Sequence, residues 1–161
     1  MTISSIRTSI SHSRAQNIVE QNARGYYTEV QKRIYYPYYW FFFANTVKTL
    51  LGVRTIRASC LVDLCSGQAS TTDNFMQEEI EADMDSVLEG KIGEEEAYQK
   101  ARTYVVHSTI HVMKALLCPE IVVLEKRILH KLFWIVKCSH PGKEPFRVIV
   151  DSVTGTYEIL A

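Results

Sequence analysis

The sequence predicts an α+β fold built from two α-βββ repeats, with antiparallel meanders packed against helices. An internal match points there first. Lys32-Arg33-Ile34, followed six residues on by Trp40, recurs as Lys126-Arg127-Ile128, followed six residues on by Trp134. A turn motif recurs as well: Val62-Asp63-x-x-Ser66-Gly67 returns as Val150-Asp151-x-x-Thr154-Gly155. Two matches in the same order indicate a duplication, and self-similarity of this kind bears on the whole fold before any local propensity does. The offsets are 94 and 88 residues, so the second copy is six residues shorter between its anchors, where a hairpin loop tolerates the loss. Helical and strand patterns also lie in separate runs, as in α+β folds with helices on one face of an antiparallel sheet.

In the first repeat, about 13–72, Ser13 and Gln16 read as a capping box. Ala15, Ile18, Val19, Asn22 and Ala23 follow at helical spacing until Gly25. Ile34 to Phe43 is aromatic at eight of ten positions, which favours a pleated strand. Pro37 confines that strand to an edge or a bulge, because proline donates nothing to a ladder. Further strands are expected over 54–63 and 68–72. In the turn between them Asp63 accepts backbone N–H bonds and Gly67 supplies a positive φ. An acidic helix of about 74–90, capped by Asp73 and stopped by Gly90, is expected to join the repeats, with Phe75, Ile80, Met84, Val87 and Leu88 as its apolar members.

The second repeat, about 94–161, opens with a helix from Glu94 to about Leu117 that Pro119 ends. Strands are expected near 132–138, 145–151 and 155–160. A loop at His140-Pro141-Gly142 separates the first two and the Asp151…Gly155 turn the last two. No linker divides the repeats, so 1–161 is expected to form a single compact, pseudo-symmetric domain.

The stretch Leu132-Phe-Trp-Ile-Val-Lys-Cys138, a Gly/Pro loop, then Phe146-Arg-Val-Ile-Val-Asp151-Ser-Val-Thr154-Gly155-Thr-Tyr-Glu-Ile-Leu160 resembles the hairpin and terminal strand of a PepSY-type domain. That family ends on an apolar run, a V-D-x-x-T-G turn and a short apolar strand. About thirty residues carry the resemblance, and the first repeat shares it more loosely. It implies a PepSY- or cystatin-like arrangement of sheet and helices. It also implies a small, non-catalytic module of a kind that is typically extracytoplasmic and binds or inhibits peptidases.

Composition bounds the function. With 161 residues, 47% hydrophobic and 22% charged, the chain is an ordinary globule and too apolar for disorder. Formal net charge is zero, so no global basic field draws it to nucleic acid, and no nucleic-acid partner is expected. The longest apolar run, Ile34 to Ala44, is eleven residues against the roughly 18 of a spanning helix, which excludes an integral membrane segment of that type. The opening residues lack an apolar signal core, and Cys60, Cys65, Cys118 and Cys138 form no C-x-x-C pair. A cytoplasmic protein with four free thiols is therefore expected. Charge is segregated along the chain. Residues 1–57 carry eight Lys/Arg against two Asp/Glu, and residues 58–101 carry two against eleven.

Candidates for chemistry are few. His107, His111, Lys114 and Cys118 share one stripe of the long helix, and two His one turn apart can ligate zinc. Seven residues, about 10 Å of helix, separate His111 from Cys118, and no Glu completes an H-E-x-x-H pattern. Neither a metal nor a cofactor is expected. Cys138 and His140 are the nearest Cys/His pair, and no phosphate-binding loop is present. Asp63, Gly67, Asp151 and Gly155 are explained by their turns.

The aromatic strand is apolar on both faces and needs cover on both. That marks Tyr35, Tyr36, Tyr38, Tyr39 and Trp40, with Trp134, as a candidate binding surface. The expectation is a non-catalytic binding or regulatory module whose partner is another protein or a second copy, as a homodimer. A small metal-dependent or Cys/His enzyme using the His107/His111 stripe is one alternative. A small-ligand pocket of cystatin-like type, lined by Tyr, is another.

Overall fold

The computed structural model describes residues 1–72, 75–113 and 117–160 and is a mixed α+β structure with a mostly antiparallel sheet and two helices. In chain order the elements are β1 (Thr2–Ile6), α1 (His12–Asn22), β2 (Tyr27–Thr49), β3 (Gly52–Asp63), β4 (Ala69–Thr71) and β5 (Gln77–Glu81). A 3-10 turn (Met84–Ser86) follows, then α2 (Glu94–Met113), β6 (Glu120–His140), β7 (Lys143–Asp151) and β8 (Tyr157–Leu160). The chain divides into two compact units, each assembled from separated stretches. One comprises Met1–Tyr36, Met76–Leu88 and His130–Ala161, and the other Pro37–Phe75 and Glu89–Leu129.

In the second unit, β2 and β3 form an antiparallel ladder from Tyr38↔Asp63 to Thr49↔Gly52, and β4 extends it on the far side of β3. The aromatic run obeys the period of two. Phe41 and Phe43, fully buried, face Ala97, Ala101 and Val105 of α2, with Cys60 and Val62 beside them from β3. Alanine at 97 and 101 leaves room for the phenylalanine rings. Each fully buried Phe is worth about 1.5–3 kcal/mol of transfer free energy. Trp40 and Phe42 point to the other face. Pro37 lies neither on an edge strand nor at a bulge of this ladder. It sits just past the ladder's last pair, Tyr38↔Asp63, where its carbonyl accepts from Leu64 N at 3.2 Å.

In the first unit, Ala15 and Val19 of α1 cover Val136, Cys138, Val148 and Val150 of the β6–β7 hairpin. The cap of α1 is Ser11 rather than Ser13. Ser11 is extended at φ −74° and ψ 168°, and its hydroxyl accepts from Arg14 N. β8 pairs with β7, and β1 pairs antiparallel with β5 from Thr2↔Glu81 to Ile6↔Gln77. Ile3, Tyr35, Ala82 and Leu132 form a further buried cluster, with Ile80 and Val87 against it.

The acidic helix expected over 74–90 is instead β5 and the 3-10 turn; Asp73, its expected cap, lies outside the described residues. Pairing with β1 is what overrides the helical spacing. Ile80 is placed opposite Ile3 and the glutamates 78, 79 and 81 stay exposed, while Met84, on the expected apolar stripe, is exposed too. The described part of α2 ends at Met113, and Lys114 of the predicted stripe lies outside the described residues.

The two predicted turns share one hydrogen-bond scheme. Asp63 Oδ1 accepts from Cys65 N and Ser66 N, and Asp151 Oδ1 accepts from Val153 N and Thr154 N. Gly67 at φ +78° and Gly155 at φ +77° return their N–H to the Asp63 and Asp151 carbonyls. The strand register, however, separates the matched tryptophans. Asp63 pairs with Tyr38, two residues before Trp40, whereas Asp151 pairs with Phe133, one residue before Trp134. One residue of offset turns a side chain to the other face of a strand. Aligned on their turns, the helix-facing sets are Tyr39, Phe41 and Phe43 in β2 and Trp134, Val136 and Cys138 in β6. Trp40 faces away from α2, so the Lys-Arg-Ile…Trp match is one residue out of structural step.

Candidate functional site

The predicted aromatic surface is largely covered within the chain. Tyr35 is buried in the Ile3 cluster, and Tyr36 meets Phe133 edge-on at 5.9 Å. Trp40 is only 8% exposed. Its indole N–H donates to Ser59 Oγ at 2.6 Å, Phe75 meets its edge, and the Arg127 guanidinium lies 5.7 Å above the ring. Tyr38 and Tyr39 are half-buried. The Tyr39 hydroxyl donates to Glu94, whose carboxylate also binds the Lys126 ammonium. Burial, and then the Glu94 charge, push the Tyr39 phenol up; the Lys126 contact holds the Glu94 carboxyl below its usual range. Trp134 is half-buried against α1, its indole N–H donating to Ile10 O at 2.9 Å. These residues fill the two units rather than form one open patch.

The His stripe is exposed. His107 and His111 both lie on the solvent side of α2, and Cys118 is exposed beyond the described end of the helix. Among the described residues, no group of three or more His, Cys, Asp or Glu is placed to hold a metal ion. Cys138 and His140 are not brought together as an acid–base pair. The β6–β7 register shifts between them, Cys138 is buried, and the His140 ring lies against Tyr26 at 5.4 Å. Burial pushes the Cys138 thiol up and the Cys60 thiol up to about 12, which suits structural sulfur rather than nucleophiles. No disulfide joins any of the four cysteines.

The open site is one that sequence reasoning missed. It is a groove of about 800 Å³ in the second unit, lined by Gly67 and Ala69 on one side and by Glu96, Lys100, Tyr104 and His107 of α2 on the other. The helical residues recur at i, i+4, i+8 and i+11, one continuous face. The other wall is the outer edge of β4. Asp63 N donates to Gln68 O and Thr72 N donates to Ser59 O, so alternation along the ladder turns the backbone groups of Ala69 and Thr71 outward. Thr71 Oγ1 lies 3.4 Å from the Tyr104 hydroxyl, a direct contact between β4 and α2. Gly67 keeps its end open, since a Cβ there would meet Lys100 Cε at 3.0 Å. The strand was expected, over 68–72, but the groove depends on α2 residues some thirty positions later coming to lie beside it, which spacing along the chain does not show.

The chain is a mixed α+β protein with a mostly antiparallel sheet and two helices. No family profile matches the chain, and no curated protein or solved structure is significantly similar to it. No helix among the described residues is long and apolar enough to cross a membrane.

Proposed function

We propose that the chain is a non-catalytic binding or regulatory module that takes up an extended protein segment in the groove between β4 and α2. The observation that carries this is the outward edge of β4. Backbone donors and acceptors that face a groove are a template for adding a strand, and side-chain pockets beside them give specificity. The segment comes from a cytoplasmic protein partner or from a second copy of this chain, and its recognition needs neither metal nor cofactor. The aromatic run then supports the groove from below, through Phe41 and Phe43 under α2, instead of meeting the partner itself.

We also read the chain as two PepSY-like α-βββ copies. The shared turn scheme supports this, as do the corresponding helix-facing sets on β2 and β6. In that reading the helix of each copy lies on the meander of the other.

The test is peptide selection against the full chain, followed by titration with Ala69→Pro and Tyr104→Ala. Proline at 69 removes a donor that the β3 ladder does not use, so stability should hold while peptide affinity falls at least about tenfold. Peptides that bind equally well to both variants would move the site elsewhere.

A further inference from the structure

The tip of the β2–β3 hairpin breaks the rule that such tips are polar. The turn is Leu50-Leu51, closed by the Thr49↔Gly52 pair, and both leucines are 88% exposed. Two-residue hairpin turns favour Asn-Gly or Asp-Gly, which meet the backbone demand and the solvent together. Here local bonding holds the backbone without them: Thr49 Oγ1 donates to Gly52 O at 3.1 Å and accepts from Leu51 N at 3.2 Å. The leucine side chains are left almost wholly to solvent, and Val53 beside them is 64% exposed.

The charges that the hairpin itself carries near its tip are of one sign. Lys48, Arg54 and Arg57 are exposed, and the sequence holds no Asp or Glu between Glu29 and Asp63. Lys48 and Arg57 lie on the hairpin face away from α2, and Arg54, opposite buried Val47, on the α2 side, so cations flank the tip on both faces. The C-terminus of α2 lies at the same end of the unit. Glu94 bonds Tyr39 and Thr109 accepts from Asn45 at 3.1 Å, so helix and strand run in one direction. The lengths agree, at about 22 Å of helix and about 20 Å of strand. There Val112 is 73% exposed and Leu117 62%, and no Asp or Glu occurs between Glu96 and Glu120.

We propose that this end of the second unit docks on an anionic lipid surface, with Leu50 and Leu51 wedged among the acyl chains and Lys48, Arg54 and Arg57 on the headgroups. A lipid surface is favoured over a protein because the apolar tip is convex. A narrow turn flanked by cations suits a soft, negatively charged phase that closes around it. The proposal is independent of the β4–α2 groove.

The experiment is co-sedimentation of the full chain with phosphatidylcholine vesicles, with and without a phosphatidylserine fraction. The chain should bind the phosphatidylserine vesicles only, and added salt should weaken the binding steeply. Leu50→Asn with Leu51→Gly installs the preferred turn, so it should leave the melting temperature unchanged or higher while reducing vesicle binding at least about tenfold. Lys48→Gln with Arg54→Gln should remove the preference for phosphatidylserine. No binding to phosphatidylserine vesicles, or unchanged binding by the Asn-Gly variant, overturns the proposal. So does a solution dimer that the Asn-Gly variant converts to monomer, since the tip would then meet a second copy.

Discussion

Asp63 and Asp151 were legible as turn residues because each acts on backbone N–H groups two and three residues on, all within one motif. Asp151 is also nearly buried and pairs with Lys131 at 2.5 Å, so Asp151→Ala should destabilise by about 1–3 kcal/mol in urea titration. The thiols could not be ranked from sequence, because burial is a property of the folded surroundings. Native protein should react quickly with maleimide at Cys118, more slowly at half-buried Cys65, and hardly at Cys60 and Cys138; all four should react in denaturant. His130 is another residue whose chemistry comes from place. Burial lowers its pKa below the ordinary 6.5, partly opposed by the bond to the Ser4 carbonyl. The unfolded chain then takes up the proton first, so stability is full above 6.5 and falls as pH drops through 6.5 toward the lower folded value. A melting temperature that declines below neutral pH, and declines less in His130→Asn, is the expected result.

At the scale of elements, long strands and helices with strong local patterns were readable, and short ones with distant partners were not. The aromatic strand and the helix from Glu94 declared themselves by composition and spacing. β5 did not, because its strand character comes from β1, some 75 residues earlier, and the same residues are spaced plausibly for a helix. The matched tryptophans show the same limit. Identical spacing in sequence says nothing of register, which the cross-strand pairs Tyr38↔Asp63 and Phe133↔Asp151 set. Alternation within β2 makes a direct prediction. Phe43→Ala, under α2, should cost about 3–5 kcal/mol, and Phe42→Ala, half-buried on the opposite face, clearly less. Equal losses in parallel urea titrations would contradict the assignment of faces.

The whole molecule is where the sequence was least explicit. It indicated two halves in tandem, whereas each compact unit gathers stretches from both of the expected repeats. A fragment ending at Thr72 contains one complete helix and meander, yet it lacks the α2 residues Ala97, Ala101 and Val105 that cover Phe41 and Phe43. Such a fragment should show no cooperative urea transition by circular dichroism, where the full chain does. The same arrangement has a consequence during synthesis. Val105 leaves the ribosome some forty residues after Asp63, about two to eight seconds later at 5–20 residues per second. Through that interval the most aromatic strand of the protein waits without its helix. Lys32 and Arg33 before the run and Lys48 after it, with no carboxylate between to neutralise them, are placed as gatekeepers that keep nascent chains from pairing strand to strand.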